Sequence, residues 1–192
     1  MPLYRKFIIL IIILDLLWAV MATVYDWNFF RIIPFYLWPF LIICPIYPFL
    51  LSIIWTQSLS GRINNYLFTF AVMPSIIYLV AAIIYYPTWM IYNGFDWLAF
   101  GSIFWVLLYG IQGAYLINKF KIKPIPTIAT SLFLVISFAV QYLTNTYGAQ
   151  DLISIPRYLL TIIYISLIMI TVLVGIFFQH KKTTTDSINH KR

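Results

Sequence analysis

Six stretches of this chain are apolar and long enough to cross a bilayer: Phe7–Tyr25, Tyr36–Trp55, Tyr66–Tyr86, Trp97–Ile117, Thr127–Asn145 and Arg157–Phe178. About twenty helical residues rise about 30 Å, the thickness of the hydrocarbon layer. Only helices or closed barrels satisfy their backbone there, and twenty-residue apolar runs are helical runs. The sequence therefore predicts an all-α, polytopic integral membrane protein with six transmembrane helices. Composition agrees: 63% of residues are hydrophobic and 9% charged, against about a quarter charged in soluble domains. One membrane domain is expected over residues 1–178, followed by a polar cytoplasmic tail over 179–192 that composition reads as disordered. Arg5 and Lys6 before the first run resemble a secretory signal, but Asp15 and Trp18 interrupt that run, so it reads as a retained helix.

The basic residues orient the helices. In a six-span arrangement ten of the twelve Lys and Arg residues fall on one side: Arg5, Lys6, Arg62, Lys119, Lys121, Lys123, Lys181, Lys182, Lys191 and Arg192. Arg31 and Arg157 are left for the other. The positive-inside rule then places both termini in the cytoplasm of a cell membrane. The net charge of +7 is explained by topology, and nucleic acid is not an expected partner. The bilayer is, with other membrane subunits beside it.

The second stretch is irregular. It holds Pro39, Pro45 and Pro48 within one span. An interior proline lacks the N–H that would bond four residues back. Pro45 then frees the carbonyl of Leu41, and Pro48 that of Cys44, and each needs a protein partner or water. A bend is expected between Leu41 and Pro48. The first span holds Asp15, the one acid deep in a predicted span. An unpaired carboxylate there is costly. The Cys44 carbonyl lies at a suitable depth to meet it, as do Ser75, Tyr78, Gln112, Ser137 and Gln141. Asp15, Cys44, Pro45 and Pro48 thus form a candidate intramembrane polar site, with a helix-to-helix hydrogen bond ahead of a proton or cation relay.

The outer boundary is rich in aromatic side chains. Interfacial anchoring explains them in the first instance. The sharper alternative is an outer aromatic cleft of Trp27, Tyr36, Trp38, Trp89 and Trp97 for a lipid, quinone or partner helix. Gly101, Gly110 and Gly113, with Ala99 and Ala114, suit close helix packing in the fourth span. Asn93-Gly94 and Tyr147-Gly148 read as outer turns. Lys123-Pro124-Ile125-Pro126 reads as a stiff connector.

Enzyme signatures are lacking. No zinc, nucleophile-elbow or phosphate-loop motif occurs. Cys44 is the only cysteine, and both histidines, His180 and His190, lie in the tail. No cofactor or metal is expected, and the reading leans away from an enzyme. The outer acids Asp26, Asp96 and Asp151 leave room for a carboxylate cluster that their spacing does not support.

Tyr36-Leu37-Trp38-Pro39-Phe40, followed by Cys44-Pro45, resembles the YpjA-like family of small prokaryotic membrane proteins (domain of unknown function 1405). Tyr25 and Trp27 fit that family's aromatic stretch after the first helix. Ile42 and Ile43 stand where the family has Pro-Asp, so no role for that acid carries over. The resemblance covers the first third of the chain. It implies a prokaryotic multispan protein and no particular activity. The function expected first is an accessory or assembly subunit of a larger membrane complex. The alternative is a small transporter or channel using Asp15 next to the proline-broken second helix. An intramembrane enzyme acting on lipid comes third.

Overall fold

The computed structural model describes residues 3–41, 45–120, 122–147, 150–151 and 154–189, and within them leaves aside the side chains of 29, 98, 147, 150, 151 and 180–189. Cys44 lies outside the described residues. The fold is all-α apart from one small hairpin. The helices are α1 (Leu3–Tyr25), α2 (Trp27–Ile32), α3 (Trp38–Leu41), α4 (Ile46–Ser60), α5 (Asn65–Asn93), α6 (Trp97–Lys119), α7 (Pro124–Thr144) and α8 (Arg157–Asn189). A 3-10 turn, Phe35–Leu37, leads into α3. The hairpin pairs β1 (Thr146–Tyr147) with β2 (Gln150–Asp151) between α7 and α8.

Five of these helices are long and apolar enough to cross a membrane: α1, α5, α6, α7 and α8. The proline-rich stretch is broken, with Phe35–Leu41 and Ile46–Ser60 meeting at 69°. The bend falls between Leu41 and Pro48, where the sequence predicts it, and two of the prolines lie at the start of α4. Pro45 is the N-cap of α4, and Pro48 sits in its first turn. First-turn N–H groups have no partner within the helix, so a proline there costs little. The two helical pieces on either side thus differ in direction by 69°. The same logic corrects the expected connector at Lys123–Pro126. Lys123 caps α7, and Pro124 opens it. At the other extreme, α5 continues as one helix past Pro74 and Pro87. The polar residues after Gln179 are also helical, since α8 continues to Asn189.

α5 is the hub. It packs most extensively on α6, and also on α4, α7 and α8, while α1 lies outside against α4. Its buried residues include Ala71, Val72, Ala81 and Ala82 alongside Phe68, Ile77 and Tyr85. Lipid tails are as apolar as leucine, so burial of apolar surface does not drive this assembly. Close packing does, and small residues permit it. Gly110 faces Leu79, whose Cβ would lie 2.9 Å from any added methyl. Gly113 faces Ser75 and the carbonyl of Val72. Gly101 has open space around its Cα instead, and Ala114 is exposed. The expected small-residue face is thus real at two of its three glycines.

A carbonyl beside the break is met by α7. Phe40 O accepts from Ser137 Oγ at 2.8 Å and from Gln141 Nε2 at 3.0 Å. Gln141 Nε2 also donates to Ser137 Oγ at 3.1 Å. Ser137 and Gln141 lie one helical turn apart on one face, and both are buried. The sequence argument expected polar partners for the break, but at the carbonyls of Leu41 and Cys44.

Candidate functional site

Asp15 lies near the middle of α1, about 18 Å from its start at Leu3. It is 1% exposed. Its partner comes from α6: Gln112 Nε2 donates to Asp15 Oδ1 at 3.0 Å. The other end of the same amide is used as well, since Trp55 Nε1 donates to Gln112 Oε1 at 2.7 Å. One glutamine thus joins α1, α4 and α6. Depth alone left six partners open for Asp15, and Gln112 was among them. Trp55 was missed. It ends the expected second span, whereas α4 runs on to Ser60 and Trp55 is buried.

Two further bridges join α1 to α6, which run antiparallel. Trp18 stacks on Trp105, with ring centroids 4.7 Å apart. At the opposite end Lys119 Nζ donates to Tyr4 Oη at 2.8 Å and lies over the rings of Tyr4 and Tyr115. Between the Asp15 and Lys119 bridges the helices stand apart around a cavity of about 490 Å³. Its walls are Phe7, Ile8, Ile11 and Leu14 of α1 and Leu108 and Ile111 of α6, with Asp15, Gln112 and Trp55 also among the lining residues. Asp15 Oδ2 is buried and has no hydrogen-bond partner among the described residues.

The broken helix meets this site through Trp55, near the far end of α4, and not at the break itself. Its Phe40 carbonyl is held by α7, whereas Asp15 is held by α6. Pro45 and Pro48 are buried at the start of α4, and the expected Cys44 carbonyl falls outside the described residues. Among the described residues, the hydrogen bond to Asp15 comes from Gln112.

The outer aromatic residues also separate. Trp38 donates to the carbonyl of Ile33 at 3.2 Å and packs against Phe30 and Phe35. Trp97 packs against Phe95 and Phe100. No ring contact among the described residues joins these two groups. Trp27, Tyr36 and Trp97 are largely exposed, and Trp89 is half-buried against the core. Among the outer acids, Asp26 is buried, which pushes its carboxyl up to about 6. Among the described residues no three His, Cys, Asp or Glu side chains are grouped as a metal site would require.

Comparison of the chain with protein-family models, with curated proteins and with solved structures gives no match.

Proposed function

We propose that this is a multi-pass protein of a prokaryotic cell membrane, with six spans and cytoplasmic termini, that serves as an accessory or assembly subunit of a larger membrane complex. Six spans follow if the bent pair α3 and α4 counts as one crossing. The ten-to-two division of basic residues then orients them. A cysteine in place of Ser187, in a Cys44→Ser background, is expected to stay shielded from an impermeant thiol reagent in intact cells. Labelling without permeabilisation would overturn that orientation.

The observation that carries the subunit reading is the outer face of α1. That helix packs on α4, and Leu17, Val20, Met21 and Val24 are each more than half exposed. An apolar surface of this kind suits a partner helix as well as lipid. A photo-crosslinking amino acid at Val20, in native membranes, is expected to give one discrete protein adduct. The same group at Leu132, an exposed residue on α7, serves as the comparison and is expected to give lipid adducts. Lipid adducts alone at both positions would remove the proposal. A transport role for Asp15 has less behind it, because the helix break and the carboxyl bond to different neighbours.

A further inference from the structure

We propose that the cavity between α1 and α6 binds an uncharged amphiphile, a long apolar chain bearing one hydroxyl, with that hydroxyl on Oδ2 of Asp15. Four observations lead there. The first is the oxygen itself: it is buried, it belongs to a side chain 1% exposed, and it lacks a partner among the described residues. Leaving such a group unmet is costly, and its neighbour oxygen is already occupied by Gln112. A hydroxyl can donate and accept, so it satisfies the carboxyl whether or not that group carries a proton.

The second is the shape. At about 490 Å³ the space matches ordinary small-molecule sites, which run about 300–1,000 Å³. It extends from Tyr4 to Asp15, about 16 Å along α1, which suits a chain lying parallel to the helices. The third is access. Phe7, Leu10, Leu108 and Ile111 line the cavity and are also exposed on the outer surface. The walls therefore open sideways into the hydrocarbon, and a ligand can enter from the bilayer. The fourth is charge. Lys119 stands at the far end, engaged with Tyr4 and Tyr115, and among the described residues no Lys or Arg lines the cavity. An anionic headgroup has nothing to meet it beside Asp15. A cationic one would have to shed its water at mid-membrane depth.

The test uses the full chain in detergent micelles and a long-chain primary alcohol carrying a diazirine. After illumination, labelled peptides are mapped by mass spectrometry. Label is expected on α1 and α6. Unlabelled 1-undecanol should compete about tenfold better than undecane or undecanoate, the value of one buried hydrogen bond. Asp15→Leu should erase that preference, and Asp15→Asn should keep it. Ile11→Trp should block labelling by filling the space. Equal competition by alcohol and alkane overturns the proposal. So does label spread evenly over all helices, or a phospholipid that stays bound in native mass spectrometry and is not displaced by the alcohol. If Asp15→Leu does not fold, the alcohol-against-alkane comparison on the unaltered chain decides alone.

Discussion

Replacing Gly113 by leucine is expected to leave no monodisperse protein in detergent. Gly113 lies where α6 crosses α5, the most extensive helix pair of the fold. A Cβ there would sit within clashing distance of Ser75 Oγ and 3.1 Å from the Val72 carbonyl oxygen. Ser75 cannot simply turn away, because its hydroxyl donates to that same carbonyl at 2.7 Å. Gly113→Ala is the graded form. Alanine gains about 1 kcal/mol of helix propensity over glycine. Overpacking costs about 1–3 kcal/mol and wins, since one of the obstacles is backbone. Adding Ser75→Ala should restore part of the loss, leaving the approach to Val72 O. Thermal midpoints of the four proteins, measured in one detergent, check this. Independent, additive effects of the two alanines would show that the clash is not where the structure puts it.

Removing both donors from the Phe40 carbonyl should be far worse than removing either. Ser137→Ala leaves Gln141 Nε2 in place at 3.0 Å, and Gln141→Leu leaves Ser137 Oγ at 2.8 Å. Each single change is expected to cost about 1 kcal/mol, the net worth of one hydrogen bond. The double variant strands a backbone carbonyl at a helix break. In hydrocarbon that costs several kcal/mol. The excess over the sum of the singles is the quantity to measure, by denaturant unfolding in micelles. Ser137→Thr, which retains the hydroxyl, is the control. A double variant no worse than the sum would mean that the break is satisfied elsewhere.

The proline-rich stretch shows how far a sequence argument reaches. Three prolines close together remove too many backbone bonds for one continuous helix, so a break was legible. Its form was not. Whether Pro48 lies inside a helix or in its first turn depends on where the helix starts, and that was decided by the restart at Ile46. The opposite case is α5, where Pro74 and Pro87 are spaced thirteen residues apart and the helix passes through both. Lone prolines are tolerated in membrane helices when neighbours supply what is lost. Asp15 was found for a similar reason of cost: one acid in an apolar run needs a partner. Five side chains and one carbonyl were offered, because depth fixes a residue along the membrane normal and leaves its angular position open.

The sequence by itself determined that the chain is a bundle of helices long and apolar enough to cross a membrane, and it located most of them to within a few residues. Hydrocarbon forces that outcome, since a backbone without water must bond to itself. The residues in need of partners were equally plain, because desolvation cost belongs to a residue and its depth. Tertiary structure decided who answers them. Gln112 reaches Asp15, and Ser137 with Gln141 reaches Phe40, because α6 and α7 present those side chains inward. Helix rotation is set by contacts such as Gly113 against Ser75, which are made between segments far apart in the chain. The cavity beside Asp15 is the clearest instance. It exists because α1 leans on α4 and meets α6 through separate side-chain bridges, and a gap between two helices leaves no mark on either sequence.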